Sequence, residues 1–311
     1  MNPKVLFVRS GNKGSHPITQ NQGDSLLQTG CEVYYFDVIG KGWRGYFRNI
    51  GKLRSYIQQV KPDVIHAHYS LCGFLSTFSL TRLPIVVSLM GSDVLTARKW
   101  YLLVLQFFIR VSWKSVIVKS EEMRARLGWE EALIVPNGVN SKDFYVMDQK
   151  EARQKLGWSN ESRIVLFAAD PKRLDKNYPL FKSAFEILHS QMGALEEKHL
   201  FNLTKEQMNL YYNASDVLVM TSLHEGSPNV IKEAMFCQCP FVSVEVGDVK
   251  QWVDATSGNF IAQRKAADIA ELVTFVLETK QNPNNQNVHR ILDAGCIAQQ
   301  LKQLYIRLIN Q

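Results

Sequence analysis

Apolar residues along the chain cluster in short runs rich in β-branched and aromatic side chains, and longer segments with helical spacing separate these runs. Such alternation predicts parallel strands joined by helices, the pattern of an α/β fold. In the first half the predicted strands are Val5–Val8, Val33–Asp37, Val64–His68, Ile85–Leu89, Ser115–Lys119 and Ala132–Val135. In the second half they are Ile164–Ala169, a weaker Leu195–Leu200, Val217–Met220 and Phe241–Val244.

A polar stretch at 138–160 has little strand character and separates the two series of strands. We therefore predict two domains, with residues 1–143 in the first and residues 144–311 in the second. A chain of 311 residues is long enough to build two separate hydrophobic cores.

The apolar runs are all too short for a membrane span, which needs ~18 apolar residues. The segment Trp100–Ile109 is apolar on all sides, and its length predicts a buried helix. Met1–Ser10 lacks the long apolar core of a signal peptide, so we expect a cytoplasmic protein. The five cysteines include no C-x-x-C pair, which argues against a disulfide framework or a zinc ribbon and predicts buried thiols.

Charge is distributed unevenly along the chain, whose formal net charge is +7. Residues 1–143 contain 18 Lys and Arg against 10 Asp and Glu, whereas residues 144–311 contain 18 against 19. A basic half indicates an anionic partner, such as a membrane surface, a phosphorylated lipid or a nucleic acid. The segment Lys41–Tyr56 has five cations and no acid, and Arg44, Arg48 and Lys52 share a helical face suited to anionic headgroups.

Polar residues follow most of the predicted strands, at the edge where open α/β sheets bind ligands. The richest of these segments is His224–Met235, which reads HEGSPNVIKEAM. Its Gly226 permits a tight turn, Ser227 suits a helix N-cap and Pro228 suits the first helical position. A helix N-terminus at this point would bind a diphosphate through its amides and its dipole.

Two carboxylates, Glu225 and Glu233, lie eight residues apart in this segment, a span of ~12 Å if wholly helical. Such a separation suits two hydroxyl-bearing ends of one ligand, for example a sugar and a ribose. The segment resembles the E-x7-E motif of family-4-type retaining glycosyltransferases, which make polysaccharides and glycolipids. Val64–His68, Val135–Val139 and Asn213–Asp216 are similar to three further segments of that family.

The resemblance implies a GT-B fold, in which two Rossmann-like domains with parallel sheets face a central cleft. It allows the final helix to cross back to the first domain. The expected reaction is transfer of a sugar from an NDP-sugar to a hydroxyl acceptor, with retention of configuration. The acceptor is expected to be a glycan or a lipid-linked molecule bound by the first domain, at the inner face of the membrane.

The same resemblance implies roles for individual residues. Glu225 would contact the transferred sugar, and Lys176 with Arg173 would neutralise the diphosphate. The other expected donor-binding residues are Glu233, Gly226, Ser227, Pro228, Asn229, Val230 and Asn137. We assign acceptor binding to Asn12, Lys13, His68 and Asp93, which lie in the first half.

No Asp-x-Asp metal signature is present, so we expect no metal and no cofactor beyond the donor substrate. The cations and the helix N-terminus would stabilise the leaving diphosphate instead. Four features depart from the family pattern. Met90 stands where many relatives have a histidine, Ala169–Arg173 replaces a Gly-Arg pair, the stretch between Phe185 and Tyr211 is short, and the N-terminal glycine loop has only Gly11 and Gly14.

Three alternatives share parts of this pattern. Paired carboxylates also serve glycosidases as acid and base, although lysines and a helix N-terminus favour a phosphate-bearing ligand. A nucleotide-sugar epimerase of the same fold would form product without an acceptor. A non-enzymatic polyanion or nucleic-acid binder would account for the basic half but needs no E-x7-E constellation, so we expect no nucleic-acid partner.

Overall fold

The computed structural model describes residues 1–12, 14, 16–253, 258–280, 283 and 286–311. The chain forms two compact units, of which the first contains Met1–Gly138 and Ala294–Gln311 and the second contains Val139–Asp293. The sequence analysis placed the junction after residue 143. In the structure Val139 and Phe144 are already buried in the core of the second unit.

The first unit is built on a six-stranded parallel sheet with the strand order β2-β1-β3-β4-β5-β6. Its inner strands are almost continuously apolar because helices cover both faces of the sheet. The strands are β1 (Lys4–Ser10), β2 (Glu32–Val38), β3 (Val64–His68), β4 (Ile85–Ser88), β5 (Ser115–Val118) and β6 (Leu133–Ile134). The helices are α1 (Pro17–Gln28), α2 (Gly42–Phe47), α3 (Ile50–Val60), α4 (Ser70–Phe78), α5 (Ser92–Leu95), α6 (Lys99–Val111) and α7 (Glu121–Leu127).

The second unit has a five-stranded parallel sheet among its described residues, with the order β11-β10-β9-β7-β8. The strands are β7 (Arg163–Phe167), β8 (Leu195–His199), β9 (Val217–Met220), β10 (Phe241–Val244) and β11 (Phe260–Ala262). The helices are α8 (Gln149–Leu156), α9 (Tyr178–Met192), α10 (Lys205–Ala214), α11 (Asn229–Phe236), α12 (Ala266–Thr279) and α13 (Gln286–Leu292). The prediction of two parallel-sheet α/β domains is confirmed.

The last helix, α14 (Ala294–Ile309), belongs to the first unit. Its Ile297 and Leu301 join the core that also contains Val5 and Phe7 of β1. The Tyr305 hydroxyl lies 2.6 Å from Nδ1 of His66, whose Nε2 lies 2.8 Å from the Ser88 hydroxyl. The final 16-residue helix therefore completes the core around the first sheet.

Two expectations about burial were wrong in part. Helix α6 buries Leu102, Leu105 and Ile109 but leaves its opposite face exposed, so the apolar run is not a fully buried helix. Four of the five cysteines are buried, whereas Cys296 is exposed because it lies on the outer face of α14. Within the described ranges, no helix is both long enough and apolar enough to cross a membrane.

Candidate active site

The turn between β9 and α11 carries the segment that the sequence analysis singled out. Helix α11 begins at Asn229, with Pro228 in extended conformation at the N-cap and no side chain capping the helix. The prediction that Ser227 caps this helix was wrong. Its hydroxyl instead lies 2.5 Å from Oδ2 of Asp248, because a buried carboxylate from the loop after β10 competes for it.

The loop after β7 ends in a 3₁₀ turn, Leu174–Lys176, that packs beside the Glu225 turn. The Thr221 hydroxyl donates to the Lys176 carbonyl at 2.9 Å, and the Leu223 amide donates to the Asp175 carbonyl at 2.9 Å. The Lys176 ammonium forms an ion pair with Oε1 of Glu225, and both side chains are largely buried. Since β7 and β9 are neighbours in the sheet, their following loops bring together the two predicted catalytic side chains.

Arg173 occupies a different position from Lys176. Its guanidinium forms two hydrogen bonds with Asp175, at 2.6 and 3.2 Å, and its side chain is 55% exposed. Burial alone would raise the pKa of Asp175, but the neighbouring Arg173 and Lys176 outweigh it and lower that pKa. The structure therefore pairs Arg173 with an adjacent carboxylate, while Lys176 pairs with Glu225.

Glu233 lies one helical turn into α11 and is partly buried. Its Oε2 accepts a hydrogen bond of 2.8 Å from the fully buried hydroxyl of Tyr212. Burial raises the pKa of Glu233, against the opposing effects of the Tyr212 hydrogen bond and the charge of Lys232. The carboxylate is thus held in one orientation by α10.

Three further residues hold the Glu225 turn in place. Lys232 is fully buried, and its ammonium donates to the Ser227 hydroxyl at 3.1 Å. Burial lowers the pKa of Lys232 to about 8, although Asp248 counteracts this shift, and burial also raises the pKa of Asp248. Gly247 has φ +56°, and a Cβ there would stand 2.7 Å from the Gly226 carbonyl oxygen. The loop after β10 therefore packs directly on the backbone of the turn.

Sequence reasoning assigned no role to Lys232, Asp248 or Arg264. Arg264 donates to the carbonyls of Ser222 and Leu223 at 2.7 and 2.9 Å. The position of Gly247-Asp248 directly after a strand was a usable signal for that pair. Lys232 gave a weaker signal, as a lysine that follows two apolar residues, Val230 and Ile231, in a short helix.

The residues assigned to the acceptor lie in the first unit, and the structure gives most of them local partners. The Asn12 side chain donates to and accepts from the backbone of Gly40, at 2.7 and 2.8 Å. Asp93 accepts from the amides of Met90, Gly91 and Ser70, and burial raises its pKa to about 6. Both side chains therefore fix loops at the carboxyl edge of the sheet, and Lys13 lies outside the described residues.

His68 is 4% exposed and stacks on His66 with a ring distance of 4.3 Å. Burial, and then the proximity of His66, lower its pKa well below the ordinary histidine value. Asn137 is partly buried in the P-N-G-V segment, where a Cβ on Gly138 would stand 2.6 Å from the Cα of Ala294. The neighbouring passage of the chain into α14 thus explains the glycine of that segment.

The second unit therefore presents a carboxylate paired with a lysine, at the carboxyl ends of adjacent strands and beside a helix N-terminus. Such a site suits a ligand with both hydroxyl and phosphate groups, since carboxylates accept from hydroxyls and the cation and helix dipole favour phosphate. Across the described residues, no three His, Cys, Asp or Glu side chains come together as a metal site would require.

Two family models match the chain. The model of "Glycosyltransferase Family 4" matches residues 14–143, and that of "Glycosyl transferases group 1" matches residues 177–279. The putative teichuronic acid biosynthesis glycosyltransferase TuaC of Bacillus subtilis is 24% identical over an alignment of 239 residues that covers 68% of this chain and 61% of TuaC. D-inositol 3-phosphate glycosyltransferase 2 of Catenulispora acidiphila is 25% identical over an alignment of 192 residues that covers 51% of this chain and 43% of the relative. The chain thus spans about three fifths of the first relative and less than half of the second.

Solved structures with similar folds cover nearly the whole chain. Sucrose-phosphate synthase from Thermosynechococcus elongatus superposes with a TM-score of 0.79 at 17% identity, covering 99% of this chain and all of that one. Anabaena HepE, in complex with UDP and glucose, superposes with a TM-score of 0.76 at 18% identity, covering 97% and 99%. These likenesses show the fold.

Proposed function

We propose that this chain, which belongs to the family-4 glycosyltransferases with the GT-B fold, transfers a sugar from a nucleoside-diphosphate sugar to a hydroxyl acceptor. The observation that carries the proposal is the ion pair between Lys176 and Glu225 at the edge of the second sheet. A glycosyl transfer leaves negative charge on the departing diphosphate, and a cation beside the sugar-binding carboxylate stabilises that charge.

In this proposal Glu225 accepts hydrogen bonds from the transferred sugar, and Lys176 moves from its pairing with Glu225 towards the diphosphate. The N-terminus of α11, preceded by Gly226 and Pro228, supplies backbone amides and a positive dipole end to the phosphates. Glu233, oriented by Tyr212, accepts from the ribose. Retention of configuration and independence of metal follow from the family likeness and belong to the proposal.

The fold neighbour HepE binds UDP and glucose, so a UDP-sugar is the first donor to test. The relative TuaC is described as a teichuronic acid biosynthesis glycosyltransferase, which supports a role in polysaccharide synthesis. We assign the acceptor, a glycan or a lipid-linked molecule, to the first unit, and we place the reaction at the cytoplasmic side of the membrane.

The direct test is a thermal-shift screen of nucleoside diphosphates and their sugars, because a donor raises the unfolding temperature by mass action. The preferred donor is then used to compare Lys176→Ala with Lys172→Ala, a change of an exposed lysine in the same loop. We expect turnover to fall about 10²- to 10³-fold for Lys176→Ala only, as when a transition-state donor is removed elsewhere.

Two outcomes would refute the proposal. If no nucleotide or nucleotide-sugar changes the unfolding temperature, the second unit is not a donor site. If the configuration of the donor sugar changes without any acceptor present, the reaction is an epimerisation rather than a transfer.

A further inference from the structure

Helix α6 exposes a stripe of large apolar side chains. Trp100, Leu103, Phe107 and Val111 are 60%, 65%, 59% and 61% exposed. At 3.6 residues per turn these four positions fall within one narrow sector of the helix, opposite the buried Leu102, Leu105 and Ile109. Single exposed apolar residues are ordinary in soluble proteins, but a continuous stripe marks an interaction surface.

Cations border this stripe. Lys99 and Arg110, both exposed, project from α6 next to the sector of Leu103 and Phe107. Lys114 is exposed just after the helix, and Arg98 precedes it. Helix α6 itself contains no acidic residue. An apolar stripe with cations along its edge is the arrangement of helices that lie in a membrane interface.

An aromatic ladder connects α6 to the basic helix α2. The rings of Phe108 and Phe78 are 5.8 Å apart, and those of Phe78 and Phe47 are 5.1 Å apart. Leu80, two residues after the central ring Phe78, is 72% exposed. Arg44 and Arg48 flank Phe47 and are exposed. The apolar stripe and the basic helix α2 therefore belong to one connected surface of the first unit. The prediction that Arg44, Arg48 and Lys52 share one helical face was wrong, because Lys52 lies on the separate helix α3.

The charge of this region is strongly one-sided. Residues 38–120 contain twelve Lys and Arg, and their only acids are Asp63 and Asp93. Asp93 is buried against backbone amides, and the Asp63 carboxylate accepts from the Lys4 amide at 2.7 Å. Neither of these acids offsets the cations of the surface. Glu131 lines the same cavity as Arg110 and Lys114 and offsets part of their charge, but Arg44, Arg48 and Lys99 leave the surface with an excess of positive charge, so its complement is an extended anionic partner.

We propose that this surface, formed by α6 and α2, docks on an anionic phospholipid bilayer. The apolar stripe of α6 enters the headgroup boundary, and Arg44, Arg48, Lys99 and Arg110 contact the anionic headgroups. A second copy of the chain fits this surface poorly, because a symmetric interface would bring these cations against one another. The inference does not depend on the donor chemistry of the second unit.

The test is co-sedimentation of the whole chain with vesicles of phosphatidylcholine containing 30% phosphatidylglycerol, and with pure phosphatidylcholine vesicles. We expect binding to the anionic vesicles, with about fivefold loss for each cation removed in Arg44→Gln/Arg48→Gln/Lys99→Gln, and release at high salt. Leu103→Ser/Phe107→Ser should weaken binding at least tenfold. A matched control, Leu27→Ser/Phe201→Ser, changes two exposed apolar residues elsewhere and should bind like the parent.

Insertion has a signature that simple charge attraction lacks. Brominated lipids quench tryptophans that reach the acyl boundary, so quenching should occur in the parent and decrease in Trp100→Phe. Binding that ignores lipid charge and the Leu103→Ser/Phe107→Ser change would overturn the proposal. So would a lipid-free dimer, seen by analytical ultracentrifugation, that Leu103→Ser/Phe107→Ser dissociates.

Discussion

Replacing Gly247 with alanine should displace the turn that carries Glu225 and thereby lower kcat/KM for the donor. Gly247 has φ +56°, and a Cβ at this position would stand 2.7 Å from the Gly226 carbonyl oxygen and 3.0 Å from that of Glu225. Because real Cβ atoms do not approach backbone this closely, either the loop or the Glu225 turn must move by several tenths of an ångström.

Gly157 provides the matched control, because its φ is +67° and a Cβ there would meet no atom within 4 Å. Both alanine variants bear the strain of a left-handed residue, about 1–2 kcal/mol of unfolding free energy. Only Gly247→Ala also displaces the turn that carries Glu225. Since misplacement of a reacting group by about 1 Å costs up to 10²-fold, we expect kcat/KM to fall about 10- to 100-fold in this variant alone.

The assay pairs urea unfolding with donor kinetics for the parent and both variants. We expect both variants to lose the unfolding free energy of a strained left-handed residue, with a further loss from the backbone clash in Gly247→Ala, and we expect kcat/KM to fall in Gly247→Ala only. If Gly247→Ala keeps the kcat/KM of Gly157→Ala, the packing of the loop on the turn has no part in positioning Glu225, and the reasoning fails.

Three other predictions concern buried polar groups. Glu233→Ala should weaken binding of the preferred nucleotide by about 1.5–3 kcal/mol, measured by titration calorimetry, because a ribose hydroxyl would lose a charged acceptor; unchanged affinity would contradict its role. Lys232, whose pKa burial lowers to about 8, binds fewer protons in the folded than in the unfolded chain between pH 8 and 10.5. The unfolding free energy of the parent should therefore rise by about 2 kcal/mol relative to Lys232→Met between pH 8 and 10, and parallel curves would refute this. Burial and the charge of Lys119 lower the pKa of His66 to about 3. Below pH 6.5 this histidine therefore binds a proton in the unfolded chain but not in the folded one, and the unfolding free energy of the parent should fall by about 2 kcal/mol by pH 5. His66→Gln should lose less stability than the parent over this range in urea unfolding.

The alternating apolar runs were sufficient to predict the α/β class, because a strand buried on both faces has a recognisable composition. Strand β11 has only three residues, Phe260–Ala262, too few to stand out as a run. Helix α6 shows a different limit. Its apolar residues surround the helix, so the pattern gave no indication of which face packs against the sheet.

The site was predictable where loops follow neighbouring strands, as with Lys176 and Glu225. It was less predictable where several groups compete for one partner. Ser227 suits a helix cap by residue type, but its hydroxyl donates to Asp248, in the loop after β10, and accepts from Lys232 of α11. Likewise the side chains of Asn12 and Asp93 form hydrogen bonds with backbone groups. The sequence shows that such a side chain can form hydrogen bonds, but it does not show which group is its partner.

Helix α14 makes the first unit discontinuous in sequence, which bears on the order in which the chain folds during synthesis. The second unit is one continuous segment, Val139–Asp293, and all its residues are synthesised before those of α14. The first unit lacks Ile297, Leu301 and Tyr305 until α14 has been synthesised, and their absence leaves one face of its sheet uncovered. Although its synthesis begins first, the N-terminal unit therefore cannot complete its core until α14 has followed the second unit out of the ribosome, and the apolar surface exposed until then is prone to aggregation.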